Sequence, residues 1–351
     1  MSGNAVKLLV RFPLIFGITN MVSIKDVARL AGVSASTVSH VVNSTRKVAK
    51  ATRENVEKAI AELGYQPSML ARALKLKRTQ TIGMLVTNST NPFFAEVVHG
   101  VEEGCYRNNF SLILCNSGDQ IDRQMSYLTT LVQKQVDALV IMTINNDAVF
   151  YHELAKLNHL PKIILDSEPG LEAATIEDDS IFGGRLATEY LIKQGFKDIG
   201  CLTGPDNHPR SRDRFLGFSA AMEAANLKIN NRWIVPGELS AQGGYIAMKA
   251  IIQSGSIPKA IFAFNDLMAM GAFRALAESG LSIPDDVSII GYDDLELAAF
   301  LMPALTTVRQ PSFELGLSAA ERIINHLGTG TEIPSDLQLT PSLVVRDSVR
   351  H

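Results

Sequence analysis

The stretch IKDVARLAGVSASTVSHVVN, residues 24–43, contains two helical patterns separated by a turn. The apolar residues before Gly32 have the spacing of one buried helix face, and the same spacing resumes after Ser34. Gly32 supplies the backbone freedom that a turn between crossed helices needs, and Ser34 is a suitable N-cap for the second helix. The stretch therefore predicts a helix–turn–helix.

A third helical pattern follows from about Ala51 to Leu63, and Gly64 marks its end. Together the three patterns predict a small all-α domain over residues 21–66. Periodicity alone does not distinguish a DNA-binding domain from an ordinary three-helix bundle.

The charge of the chain is unevenly distributed. Residues 21–78 contain eleven Lys or Arg against four Asp or Glu, a net charge of +7, in a chain whose total is −3. Residues 79–351 consequently carry −12, because the first twenty residues add +2. A basic segment joined to an acidic body indicates that the basic segment contacts a polyanion such as DNA.

Composition restricts the class of protein. The chain has 351 residues, 46% of them hydrophobic and 20% charged, which is typical of a globular protein of two or three domains and excludes disordered and collagen-like chains. Three cysteines without C-x-x-C spacing argue against a disulfide framework and for a reducing compartment. No stretch has the length of a membrane span. We expect a cytoplasmic protein in which residues 1–20 are a non-structural extension or a mis-assigned start rather than a targeting segment.

The sequence changes character after Thr81, where short apolar runs alternate with amphipathic segments of about a dozen residues. This alternation predicts parallel sheets with helices on both faces. The predicted strands are 82–86, 111–115, 138–142, 162–165, 199–202, 260–264 and 287–290.

Polar and aromatic residues follow these strands, at the edge of an open α/β sheet where ligands bind. Two arginines, Arg212 and Arg214, are predicted in a loop that leads into a helix near Phe215. The set combines apolar faces with planar hydrogen-bonding groups, which is what a sugar ring requires. The polar and aromatic residues of this set that follow predicted strands are 87–94, Asp166, 265–266 and 292–293.

Enzyme motifs are missing from the sequence. G-x-G-x-x-G, G-x-x-x-x-G-K-[ST] and G-x-S-x-G do not occur, so phosphate-binding and serine-hydrolase loops are not predicted. His152, Glu153 and His159 lack the H-E-x-x-H spacing of a zinc site, so we predict no metal. A transport receptor is disfavoured by the basic segment and by the lack of a credible signal sequence.

Four segments resemble the head and hinge of the lactose and purine repressor family: 24–28, 31–34, 37–43 and 65–75. The resemblance implies an all-α helix-turn-helix head, a hinge helix and linker over 67–79, and a homodimer on a near-palindromic operator. It implies that the second helix contacts base edges, that basic residues hold phosphates, and that Leu74 enters the minor groove. The implied DNA-binding residues are Lys25, Ala35, Ser36, Thr37, His40, Asn43, Arg46, Lys47, Leu74 and Lys75.

Residues 80–351 resemble the α/β periplasmic sugar-binding fold that this family shares, with two doubly wound subdomains. The resemblance implies a first subdomain of about 80–180 and 312–340, a second of about 181–311 and 341–351, and crossovers near Ser180, Arg309 and Thr340. The motif NPFF at 91–94 is similar to that of ribose binders and of the family's ribose-responsive members. The implied ligand-binding residues are Asn91, Phe93, Phe94, Asp166, Arg214, Asn265, Asp293 and Gln310.

Two positions depart from the ribose-binding pattern. Ser167 stands where a ribose binder has arginine, and Leu239 stands where an aromatic residue is usual. The resemblance implies no cofactor and an effector that is D-ribose or a close pentose, whose binding releases the operator. A purine-responsive repressor remains the alternative.

Overall fold

The computed structural model describes residues 22–43, 46–66, 78–143, 148–166, 173–206 and 208–350. The chain forms two compact units divided between residues 77 and 78. Of the predicted hinge, residues 67–77, including Leu74 and Lys75, lie outside the described residues, as do residues 1–20 and Ser167.

The described residues of the first unit form three helices, as predicted: α1 (Ile24–Ala31), α2 (Ala35–Asn43) and α3 (Lys50–Leu63). Helix α1 starts with a capping box, in which the Ser23 backbone N–H donates to the Asp26 carboxylate at 3.0 Å. It ends at Gly32, whose φ of +64° is the left-handed conformation that favours glycine.

Helix α2 begins as predicted after Ser34. The Thr37 backbone N–H donates to Ser34 Oγ at 3.1 Å, which satisfies one of the free donors of the helix start. The three helices close around a small apolar core formed by Val27, Ala28, Val38, Val41, Val56 and Ala59.

The second unit consists of two lobes, each a six-stranded sheet covered by helices on both faces. The first lobe contains β1 (Thr81–Val86), β2 (Ser111–Asn116), β3 (Ala138–Met142), β4 (Lys162–Leu165), β5 (Ala174–Asp178) and β11 (Asp336–Leu339), with α4 (Pro92–Arg107), α5 (Ile121–Gln133), α6 (Ala148–Lys156) and α11 (Ser312–Thr329). The second contains β6 (Ile199–Thr203), β7 (Ile234–Pro236), β8 (Ala260–Ala263), β9 (Ser288–Asp293), β10 (Thr306–Arg309) and β12 (Ser342–Val344), with α7 (Ser180–Lys193), α8 (Pro209–Ala224), α9 (Ala241–Gln253) and α10 (Asp266–Glu278). Short 3₁₀ helices span Asn231–Trp233 and Glu296–Phe300.

The strand order is β11-β5-β4-β3-β1-β2 in the first sheet and β12-β10-β9-β8-β6-β7 in the second. The paired strands run parallel except β12, which is antiparallel to β10. The chain passes between the lobes after β5, after β10 and after β11. The doubly wound fold class predicted from the sequence is confirmed.

Two local predictions are wrong. Helix α8 begins at Pro209 rather than near Phe215, so Arg212 and Arg214 lie in a helix and not in a loop. Strand β9 extends to Asp293, so Tyr292 and Asp293 end the strand instead of following it.

No helix in the described ranges is long and apolar enough to cross a bilayer. The three cysteines are buried free thiols.

Helices α4 and α11 cross at unusually close range on one face of the first sheet. A Cβ added to Gly100 would collide with the backbone oxygen of Phe313, and one added to Gly104 would lie 2.6 Å from the Ala320 Cβ. Backbone cannot yield as a flexible side chain does, so this crossing requires glycine.

We expect Gly100→Ala to lower the free energy of unfolding by about 2–3 kcal/mol, because the added methyl group separates the two helices. Gly328→Ala is the matched control, since Gly328 lies in α11 and an added Cβ meets nothing within 4 Å. The free energy of unfolding of Gly328→Ala should stay unchanged or rise by up to about 1 kcal/mol. Urea denaturation of both variants measures the difference, and equal effects would contradict the close crossing.

Candidate functional site

A cavity of about 410 Å³ lies between the two lobes. It is bordered by the carboxyl ends of strands from both sheets, where side chains of loops and helix starts converge. All eight residues predicted to bind ligand line it: Asn91, Phe93, Phe94, Asp166, Arg214, Asn265, Asp293 and Gln310.

The apolar wall of the cleft comes mainly from the start of α4. The rings of Phe93 and Phe94 meet edge to face, with centroids 5.3 Å apart. Phe94 also packs into the core of the first lobe and is 7% exposed. Leu239 contributes an aliphatic surface from the second lobe.

Two of the predicted hydroxyl-binding amides also cap helices. Asn91 accepts from the Phe93 backbone N–H through Oδ1 at 3.1 Å at the start of α4. Asn265 accepts from the Met268 N–H at 2.8 Å at the start of α10, and its Nδ2 donates to the Leu239 carbonyl at 3.2 Å. These bonds fix the orientation of both amides, and part of their hydrogen-bonding capacity is already used.

Arg214, Asp293 and Gln310 form a polar wall on the second-lobe side. Gln310 Nε2 donates to Asp293 Oδ1 at 2.6 Å. The Arg214 guanidinium stacks on the Tyr292 ring, 3.8 Å from its centroid, and donates from Nη1 to the Phe264 carbonyl. Its buried Nε has no hydrogen-bond partner among the described residues.

The electrostatics of the cleft centre on two aspartates, Asp166 and Asp293. Burial, together with the charge of Asp178, raises the pKa of Asp166 to about 7 against the opposing effect of two arginines. Burial raises the pKa of Asp293 to about 7 as well, although Arg214 and the hydrogen bond from Gln310 lower it. Both carboxyl groups therefore change charge close to neutral pH.

Both aspartates also have unusual backbone conformations. Asp166 has φ +51° and Asp293 has φ +116°, in the region that L-residues rarely adopt. Such conformations aim side chains into a site at a cost in backbone energy, which is typical of ligand-binding positions.

The sequence analysis missed two cleft residues from the start of α8, His208 and Arg210. His208 caps the helix, accepting from the Ser211 N–H at 3.4 Å, and burial together with the charges of Arg214, Arg210 and Arg212 lowers its pKa to about 3. Pro209 was the available signal, because proline is favoured at the first position of a helix. With the helix started there, Arg210 and Arg214 fall on one helix face.

In the first unit, five of the predicted DNA-contacting residues are exposed: Lys25, Ser36, Asn43, Arg46 and Lys47. The other three described ones, Ala35, Thr37 and His40, are half-buried.

Hydrogen bonds order the start of α2. Ser34 Oγ lies 2.7 Å from Ser36 Oγ and 2.8 Å from Thr37 Oγ1. The hydroxyl groups at the tip of the helix therefore hold defined positions before any partner binds.

Two family models match the chain. Residues 23–68 match bacterial regulatory proteins of the lacI family, and residues 188–349 match a periplasmic binding protein-like domain. A DNA-binding head and a ligand-binding body thus occur in one chain, which defines the class as a ligand-responsive DNA-binding repressor.

Curated relatives match over nearly the whole length. The HTH-type transcriptional repressor PurR of Vibrio vulnificus is 45% identical over 331 residues, covering 94% of this chain and 99% of the relative. The ribose operon repressor of Escherichia coli is 44% identical over 329 residues, covering 93% and 100%.

Solved structures agree with this. The lac repressor dimer bound to operator and the anti-inducer ONPF superimposes with a TM-score of 0.86 at 30% identity, covering 93% of this chain and 98% of that one. A LacI family regulator from Enterococcus faecium with bound ribose has a TM-score of 0.70 at 32% identity, covering 77% and 98%. The chain belongs to the lacI family of bacterial regulatory proteins, which are not enzymes.

The raised pKa of Asp293 makes the stability of the ligand-free protein depend on pH. Below about pH 4, Asp293 makes its full contribution to the free energy of unfolding. This contribution is lost as pH rises through about 7, because the folded state then holds an ionised, buried carboxylate. Asp293→Asn keeps the shape without the charge. We expect it to raise the free energy of unfolding by about 1–3 kcal/mol at pH 8 and by much less at pH 5.

Asp294→Asn is the matched control. Asp294 pairs with Arg309 at 2.7 Å and Arg346 at 2.6 Å, so its neutral variant leaves a partly buried guanidinium without its partner and should lower stability. Chemical denaturation at both pH values measures this, and destabilisation by Asp293→Asn at pH 8 would contradict the assignment.

Proposed function

We propose that this protein is a homodimeric repressor of ribose uptake or catabolism genes that leaves its operator when D-ribose, or a close pentose, binds in the cleft between the lobes. The observation that carries the proposal is the convergence of Asp166, Asp293, Arg214 and Gln310 on one cavity beside an aromatic wall. This role places the chain in the cytoplasm, where its operator DNA lies.

The hydrogen-bonding balance of the cleft favours a sugar over a purine. Carboxylates accept hydrogen bonds, and Asp119 and Glu238 add further acceptors to the two central aspartates. A pentose offers a hydroxyl donor on most of its carbons, whereas a purine base offers few N–H donors. The edge-to-face Phe93–Phe94 pair also lacks the two parallel faces that would enclose a flat base.

A purine effector is the second candidate, and the 45% identity to a repressor named PurR favours it. The Arg214 guanidinium and the Gln310 amide are planar groups that also suit the edge of a base.

The start of α2 is proposed to enter the major groove. Ser36 and His40 would bond base edges, Ala35 and Thr37 would supply methyl contacts, and Asn43 would support them. Lys25, Arg46 and Lys47 would hold phosphates and fix the register. Leu74 and Lys75 are proposed, from the sequence alone, to act at the operator's centre.

Dimerisation is supported by exposed apolar side chains on the second 3₁₀ helix and just after it. Leu297 is 54% exposed, Phe300 77% and Met302 93%. Large apolar side chains grouped in this way mark interaction surfaces, and a second copy of the chain is the occupant that a symmetric operator requires.

The sugar acts on DNA through the arrangement of the lobes. A ligand with unequal affinity for two arrangements shifts their populations, and the expected coupling of about 1–3 kcal/mol corresponds to roughly 5- to 150-fold in operator affinity.

Calorimetric titration of the full chain with D-ribose, and in parallel with hypoxanthine, tests the effector. We expect saturable binding of ribose and none of hypoxanthine. Asp293→Asn should weaken ribose binding by about 10- to 150-fold, because it removes a charged acceptor from the cleft, and should leave operator affinity without sugar unchanged. Binding of hypoxanthine alone would favour the purine repressor instead.

Leu74→Ala tests the division of roles between the units. Operator affinity should fall by about 10-fold or more, since the wedge that stabilises bent DNA is lost, while ribose affinity stays the same. Fluorescence anisotropy with operator DNA and calorimetry with ribose measure the two quantities. Equal loss of both would show that Leu74 supports the fold and not the DNA contact.

A further inference from the structure

Arg210 lies in the cleft beside Arg214, on the same face of α8 and four residues before it. Its residue surface is only 7% exposed. Arg212, between the two in sequence, is exposed. Two of the three arginines of this helical turn are therefore directed towards the cavity.

Arg210 joins the two lobes. Its Nη2 donates to Glu177 Oε2 on β5 of the first lobe at 3.2 Å, and its Nη1 lies 3.1 Å from Asp213 Oδ2 on its own helix. The charges of Asp166 and Asp178 of the first lobe also raise the pKa of Arg210. Four carboxylates thus surround one buried guanidinium, and this balance disfavours an anionic ligand such as a sugar phosphate.

Asp166 is the member of this group that faces the cavity. Three charged groups face it, Asp178 from β5 and the guanidinium groups of Arg210 and Arg214 from α8. Asp166 Oδ1 also accepts from the Asp178 backbone N–H at 3.3 Å. Of the two arginines, Arg210 has the larger effect in lowering the pKa of Asp166. An ionised carboxylate accepts hydroxyl groups at both oxygens, whereas a protonated one loses part of that capacity.

We propose that Arg210 is a positioning residue for the effector, whose buried guanidinium, bonded to Glu177 of the first lobe, places a positive charge in the wall of the cleft where Asp166 accepts the hydroxyl groups of a neutral pentose. The residue directly after Asp166 is Ser167, which carries no charge, and Arg210 supplies a guanidinium from the opposite lobe. The inference rests on the proposed sugar-binding function.

The test is calorimetric titration of the full chain with D-ribose between pH 6 and pH 9. Arg210→Gln should weaken binding by about 10-fold or more near pH 7, and the deficit should shrink to about threefold or less at pH 9, because a higher pH favours the ionised form of Asp166 in the variant as well. Arg210→Lys retains the positive charge and should keep a pH profile close to that of the wild type. Arg212→Gln, on the exposed side of the same helix, is the matched control and should bind as the wild type does.

The pH profile separates the outcomes. A deficit of Arg210→Gln that is equal at every pH, or no deficit, overturns the positioning role while ribose binding by the wild type stands. If Arg210→Lys binds ribose as weakly as Arg210→Gln does, the positioning role is also overturned, because a positive charge at this position would then not be enough to support binding. No ribose binding by the wild type at any pH overturns the proposed function and this inference with it.

Discussion

The hydrogen bond from the Tyr292 hydroxyl to the Asp178 carboxylate, 2.7 Å long and buried, joins the two lobes beside the first chain crossing. The positions of the Tyr292 ring and of the Arg214 guanidinium in the cleft depend on this hydrogen bond. A Cβ on Gly183 would collide with the tyrosine hydroxyl, so a glycine in α7 lets the ring approach, and the ring in turn supports the Arg214 guanidinium. Burial beside Asp178 raises the pKa of Tyr292 well above its usual value, so the phenol remains a donor. Burial is the main cause of the raised pKa of Asp166, and the charge of Asp178 raises it further, so the acceptor of this hydrogen bond also contributes to the charge of the cleft.

The cleft holds its polar groups in a state that favours binding over stability. Asp166 and Asp293 have positive backbone φ angles, which most residues disfavour, and burial opposes the ionisation of their carboxyl groups. Arginines offset this cost only in part, because Arg210 is shared with Glu177 and Asp213. Hydroxyl groups of a ligand would give the carboxylates the hydrogen bonds that they lose on leaving water. Preorganised groups of this kind cost stability in the free protein and improve affinity for the ligand.

The main parts of the fold could be predicted from the sequence because they depend on local patterns. Short apolar runs located β1, β2, β3, β4, β6, β8 and β9, whereas β5, β7, β10, β11 and β12 were not predicted, because they are either three residues long or mix polar with apolar residues. The eight residues that the resemblance implied all line the cleft, whereas Asp266 and Tyr292, which the strand ends also suggested, do not. Arg210 was missed for a specific reason: with the start of α8 placed near Phe215, its position relative to Arg214 could not be deduced. Its ion pair with Glu177 joins residues 33 positions apart, and no short motif records such a contact.

The polar contacts between the lobes also set the scale of any response to a ligand. Tyr292 with Asp178 and Arg210 with Glu177 each join a donor to a charged acceptor, an interaction that contributes about 1.5–3 kcal/mol when well made. The expected coupling between effector and operator sites is of the same size, about 1–3 kcal/mol. A sugar that strengthens or replaces one such contact therefore supplies enough differential free energy to shift the arrangement of the lobes. If the proposed function holds, a small neutral sugar needs no large apolar surface to shift this balance, because each of these two contacts is individually modest.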